Sequence, residues 1–132
     1  MTENLAVDEV IVLYRGIVVF WQYIPKKHKM FGIEIHKLCD SVGYTCDMSV
    51  YSGKQRQHVT AQITSTHRMV LQVIRRVKGL GHKIFMDNYF TLPAVFDDLF
   101  QQKTNACGIV RHDRRGIPRD IGPKSVKMKR GT

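Results

Sequence analysis

An α/β fold, a mixed sheet flanked by helices, is predicted by three observations. These are short runs of β-branched and aromatic residues, two stretches with helical apolar spacing, and the order in which they alternate. Three strand-like segments joined by short turns come first, then a helix, a strand, a helix and a strand. Short turns give antiparallel neighbours, whereas a helical crossover requires parallel pairing, so one sheet must contain both. With 132 residues, 43% of them apolar, the chain has material for one core and not for two.

The first strand is predicted over Val7 to Tyr14 (VDEVIVLY), closed by a turn at Arg15-Gly16. Ile17 to Ile24 is expected to extend the sheet before Pro25 interrupts it. Gly32 to Leu38 alternates, with Ile33, Ile35 and Lys37 on one face and Glu34, His36 and Leu38 on the other. Asp40 to Gly43 supplies turn chemistry, and Tyr44 to Tyr51 returns as a third strand. From Thr66 the residues Met69, Val70, Val73, Ile74 and Val77 fall on one helical face, with Arg68, Arg75, Arg76 and Lys78 outward and Gly79 and Gly81 as the stop. Lys83 to Met86 reads as a strand. Pro93 to Phe100 reads as a second helix, with Thr91 as its N-cap and Asp97 and Asp98 on its wet side. Ala106 to Val110 is the last strand, and a basic segment comes after it. The ribonuclease H-like fold begins with this order of elements.

The formal net charge is +10, and it is uneven. From Arg111 to Thr132 eight basic residues, among them Arg111, Arg114, Arg115, Arg119 and Lys124, face only Asp113 and Asp120. A surface of that kind attracts polyanions, usually a nucleic acid backbone, unless it is simply a solvated tail. No apolar run approaches the roughly 20 residues of a membrane span, and Met1 to Val10 lacks the halves of a signal peptide. An intracellular protein is expected. Cys39, Cys46 and Cys107 form no CxxC pair, the usage of a reducing compartment, although Cys39 and Cys46 are expected to face each other across a hairpin. His36 and Cys39, three apart on a strand, point to opposite faces, which argues against zinc.

The chemistry centres on carboxylates. Asp87 comes directly after an apolar strand and so lies where open α/β sheets bind ligands, and Asp8 near the start of the first strand is placed to be its neighbour. Two carboxylates in a cleft repel, and a cation or a shared proton relieves them. Hard oxygen donors favour Mg²⁺ or Mn²⁺. A purely structural Asx turn explains Asp87 equally well. Glu9 points to the opposite face and is left out. The aromatics Phe85, Tyr89, Phe90, Phe96 and Phe100 are expected to be mostly core and not base-stacking platforms. Gly79-Leu80-Gly81 and Ser52 to Gln55 lack the context of nucleotide-binding loops.

Several stretches together resemble the catalytic domain of piggyBac-type transposases and the host proteins derived from them. They are Val7-Asp8-Glu9, Tyr14-Arg15-Gly16, Tyr23 to Lys27, Phe31-Gly32-Ile33, Cys39-Asp40-Ser41, Gly43-Tyr44, Gly79 to His82, Met86 to Thr91, Cys107 to Arg111 and Arg115 to Pro118. They occur in family order and at family spacing. The resemblance implies a ribonuclease H-like domain using three aspartates, two of which fall on Asp8 and Asp87, and a two-metal mechanism that cuts and rejoins DNA at TTAA sites. It also implies Mg²⁺ or Mn²⁺ as cofactor, DNA as partner, the nucleus as location and a homodimer in the full-length parent. Ile17, His28 and Met30 depart from the family pattern. The family's third aspartate is expected beyond Thr132, and Asp113 and Asp120, the only acids of the tail, lie in no recognisable helix and are not promoted to its place.

The expectation is therefore a partial catalytic domain over residues 1–110 and then a basic segment over 111–132. It would bind DNA, with Arg111, Arg114, Arg115, Arg119 and Lys124 on phosphates, and would be inactive alone. The alternative is a domesticated protein-interaction module without DNA chemistry.

Overall fold

In the computed structural model, which describes residues 1–14, 22–23, 31–51 and 64–118, the sheet is organised around β1 (Asn4–Leu13). β3 (Phe31–Asp40) lies antiparallel along one side of β1, pairing from Leu5 with Asp40 to Leu13 with Gly32. β2 (Gln22–Tyr23) and β4 (Thr45–Val50) both pair with β3. On the other side β5 (Lys83–Met86) and then β6 (Asn105–Gly108) run parallel to β1. The described strands thus take the order β2-β3-β1-β5-β6 with β4 beside β3, a mixed sheet in which the helical crossovers produce the parallel half.

β1 starts three residues before the predicted point, so Asp8 sits in mid-strand and not near its start. Polar Asn4 and small Ala6 carry little strand propensity, and pairing with β3 and β5 overrides it. The last strand is likewise shifted, to Asn105–Gly108. Of the extension expected over Ile17 to Ile24 only Gln22–Tyr23 is described. The Arg15-Gly16 turn, Pro25 and Ser52 to Gln55 lie outside the described residues.

α1 (Ser65–Ile74) is capped by Thr64, whose hydroxyl accepts the His67 amide at 3.2 Å. It ends at Ile74, earlier than Gly79 and Gly81 suggest, and a run of turns carries Val77 into the core. α2 (Pro93–Gln101) has Leu92 and not Thr91 at its N-cap, with no side-chain cap bond. The Thr91 hydroxyl is engaged elsewhere, donating to the Asp87 carbonyl at 2.7 Å. Nor is Asp98 simply on a wet face. Its Oδ2 lies 2.5 Å from Nε2 of buried His67, a link between the helices that helical spacing alone does not reveal.

Both helices pack on one face of the sheet. Val70, Val73, Ile74 and Val77, with Val95 and Leu99 of α2, meet Leu5, Val7, Leu38, Ile84 and Met86. The opposite face carries apolar rows: Val10, Ile35 and Val50 lie side by side across three strands, and Val12 lies beside Ile33. The described residues leave Val10, Val12, Met48, Val50 and Phe85 of this face exposed. The aromatic expectation is corrected here. Phe90 is buried and Phe96 partly so, but Phe85, Tyr89 and Phe100 are exposed, because strand alternation turns Phe85 outward, helical phase turns Phe100 outward, and Tyr89 sits in the turn between β5 and α2.

The cysteines are free thiols. Cys39 pairs in register with Thr45 and not with Cys46, because the β3–β4 ladder shifts between Leu38 and Cys39. His36 is buried on the helix-covered side beside Phe90, and its Nε2 lies 3.1 Å from Glu34 Oε1. Among the described residues no helix is long and apolar enough to cross a membrane.

Candidate functional site

β1 and β5 run in parallel register, ending with Val7 beside Met86. Asp8 and Asp87 are the next residues of the two segments, so the register that buries Val7 and Met86 sets the two aspartates side by side. Strand alternation turns Asp8 away from the helices, onto the open face. On β3 Lys37 stands opposite Asp8, a cross-strand neighbour of opposite charge.

Each aspartate commits one oxygen to the backbone. Asp8 Oδ1 accepts the Glu9 amide at 2.8 Å. Asp87 Oδ1 accepts the amides of Tyr89 at 2.9 Å and Phe90 at 3.3 Å, an Asx-type turn that fixes the carboxylate as β5 ends. The structural reading of Asp87 and its availability as a ligand are therefore compatible, since the turn uses one oxygen of the two.

The Asp8 carboxyl is held above the ordinary carboxylate range. Partial desolvation among the strands is the largest cause. The bond from the Glu9 amide opposes it, while the Glu9 carboxyl and the Asp87 charge push the same way as desolvation. Strand alternation excludes Glu9, and its register with His36 does place it on the other side of β1. Its carboxyl nevertheless interacts with that of Asp8, so the acidic cluster contains a residue that period-two reasoning misses.

The Asp87 turn is braced by the segment after β6. Gly108 lies so close that a Cβ would stand 2.2 Å from Thr91 Oγ1 and 2.7 Å from the Met86 carbonyl oxygen, so only glycine lets β6 approach there. The chain then folds back over the turn, Gly116 adopts φ 94°, and a Cβ built there would stand 3.5 Å from the Pro93 ring. Arg114 donates through one guanidinium nitrogen to the carbonyls of Asn88 at 2.8 Å and Tyr89 at 3.1 Å.

That placement changes the account of the basic residues. Arg114, expected on phosphates, is instead bound to the backbone beside Asp87. Arg111 pairs with Asp113 at 3.1 Å in an exposed contact, which engages one of the two tail acids. Arg115 is exposed. Arg119, Lys124 and Asp120 lie outside the described residues. A second basic surface runs along α1 and the turn after it, where exposed Arg75 and Arg76 reach Asp47 Oδ2 at 3.6 Å and 3.9 Å.

Two adjacent carboxylates, each with an oxygen outside its bonds to backbone amides and that of Asp8 also bonded to the Glu9 carboxyl, are a donor set suited to a hard divalent cation. Among the described residues no group of three His, Cys, Asp or Glu is placed to hold one. Asp8 and Asp87 would bind such an ion weakly, most of its shell being left to water or to phosphate oxygens.

A family model described as Transposase IS4 matches residues 1–132. Among solved structures, the cryo-EM structure of a piggyBac transposase synaptic complex with hairpin DNA superposes with a TM-score of 0.79 at 31% sequence identity. The match covers 89% of this chain and 25% of that one, so the chain spans a quarter of the length of the transposase it resembles. The mixed sheet with its two helices is thus α/β and similar in fold to a ribonuclease H-like transposase domain.

Proposed function

Because the chain belongs to the Transposase IS4 family, we propose that it is a transposase-derived DNA-binding domain in which Asp8 and Asp87 are the metal-holding carboxylates. The observation that carries this reading is the β1–β5 register, which makes neighbours of two aspartates far apart in sequence. Mg²⁺ or Mn²⁺ bound there would supply positive charge against the phosphate oxygens of a DNA strand. Asp8 and Asp87 provide the anionic seat, the Tyr89 and Phe90 amides orient Asp87, and Lys37 adds a cation on the same face.

Arg111, Arg115, Arg119 and Lys124 are the residues assigned to the DNA backbone. Arg114 is reassigned, because one of its guanidinium nitrogens already holds the Asn88 and Tyr89 carbonyls. Among the described residues no base-reading element is identified, and binding is expected to depend little on sequence. The 132-residue polypeptide is expected not to break strands, since two cations held about 3.5–4 Å apart need more anionic ligands than two aspartates provide. Cut-and-paste chemistry at TTAA, the nuclear location and a homodimer belong to the proposed longer parent.

Titrating labelled duplexes at several salt concentrations tests the DNA reading. With about four phosphate contacts the logarithm of affinity should fall against the logarithm of salt with a slope of about −4. A parallel incubation with Mn²⁺ and a TTAA-flanked duplex should leave the DNA intact. Metal-dependent nicking that vanishes in Asp87→Ala would overturn the inactive assignment. A second reading, a protein-interaction module, is favoured by the apolar open face. Absent or salt-independent DNA binding would select it.

A further inference from the structure

Arg114 has a position that phosphate binding does not explain. One of its guanidinium nitrogens holds two consecutive carbonyls, Asn88 and Tyr89, in the turn that grips Asp87. Its Nε is buried and has no hydrogen-bond partner among the described residues. Burying an unpaired donor is unfavourable, so this placement depends on what the rest of the side chain gains. The gain is at the turn: carbonyls fixed by Arg114 leave the amides of Tyr89 and Phe90 aimed at Asp87 Oδ1. Two glycines shape the arrival of the 111–118 segment, because Gly108 and Gly116 let the chain fold tightly enough for Arg114 to reach the turn.

We propose that Arg114 is a positioning residue for Asp87, clamping the Asn88–Phe90 turn from outside so that the Asp87 carboxylate stays beside Asp8 on the open face of the sheet. It acts through the turn and touches neither the carboxylate nor its ligand. The effect on metal rests on the reading of Asp8 and Asp87 as metal-holding groups, whereas the effect on the turn does not. An arginine suits this role, because one planar guanidinium nitrogen carries two N–H donors in fixed directions, whereas the donors of an ammonium rotate.

The test is amide hydrogen exchange detected by nuclear magnetic resonance on the 132-residue chain, with Mn²⁺ as a second probe. In Arg114→Ala the amides of Tyr89 and Phe90 should exchange faster by about 10-fold or more, while those paired between β1 and β3 keep their rates. Arg114→Lys should restore part of the protection, and Arg115→Ala, the exposed neighbour, should change nothing. In wild type, Mn²⁺ should broaden the Tyr89 amide, and Arg114→Ala should need several-fold more Mn²⁺ for the same broadening. Unchanged exchange at Tyr89 and Phe90 in Arg114→Ala would overturn the positioning role whatever the metal does. Faster exchange with no Mn²⁺ broadening in wild type would keep the clamp and remove the metal reading instead. If Arg114→Ala loosens the whole sheet, Arg114→Lys decides: exchange there as slow as in wild type overturns the proposal, and faster exchange confined to Tyr89 and Phe90 supports it.

Discussion

The two faces of the sheet are built from the same strands and have opposite fates. On the helix-covered face Leu38, Ile84 and Leu99 are fully buried, and the apolar side chains of β1, β3 and β5 meet those of α1 and α2. On the open face Val12 is 44% exposed and Met48 56% exposed, although their rows are nearly as apolar. What the open face has instead is Asp8, with Lys37 across from it and Asp87 beside it. Stability is concentrated on one side of the sheet, and the carboxylate pair is set apart from it on the other. The covered face supplies the burial that holds the register, and the register leaves both carboxylates exposed to solvent.

Truncations should report this asymmetry most strongly. Phe90→Ala and Leu99→Ala each empty a fully buried position and should cost about 3–5 kcal/mol in urea denaturation. Val12→Ala on the open face should cost within about 0.5 kcal/mol. A Val12→Ala cost of about 1 kcal/mol or more would break the comparison, showing that this face is covered in solution. A smaller effect belongs to the link between the helices. Asp98→Ala leaves buried His67 without its partner and should cost about 1–3 kcal/mol, with no change in any property of the open face.

The smallest effect is a pH dependence that sharpens the contrast from the open side. The Asp8 carboxyl is raised, first by desolvation and also by Glu9 and Asp87, so the folded chain holds that proton more tightly than the unfolded chain does. The resulting stability is complete below the ordinary carboxylate range and is lost as pH rises through the raised value. Asp8→Asn cannot lose it. The melting temperature of Asp8→Asn relative to wild type should therefore climb as pH rises out of the ordinary carboxylate range and through the raised value of Asp8. A difference that stays flat, or falls, would show that Asp8 is not crowded by its acidic neighbours.

Much of the covered face was legible in the sequence because periodicity carries it. Val70, Val73, Ile74 and Val77 repeat at helical steps and are all buried, and alternation divides Gly32 to Leu38 into two faces without showing that the one with Leu38 is the covered face. The juxtaposition of Asp8 and Asp87 was legible only as a consequence of strand order, since nothing local to either residue specifies a partner. Three features escaped for physical reasons. The interaction of Glu9 with Asp8 crosses the strand alternation that excludes it. The Arg114 clamp depends on the close approach at Gly108 and the positive φ of Gly116, and composition shows only a basic run there. The exposure of Phe85 and Phe100 depends on which face each side chain occupies, which amino-acid type does not encode.

Asp8 and Asp87 are proposed to form together a weak divalent-cation seat on the open face. Its most direct measurement is a Mn²⁺ titration of the chain with electron paramagnetic resonance detection of the free ion, in wild type, Asp8→Asn and Asp87→Asn. Weak binding in wild type that is lost in both single variants is the predicted result, because neither carboxylate alone retains a hydrated divalent ion. Binding that persists unchanged in either variant, or no binding in wild type, would contradict the account.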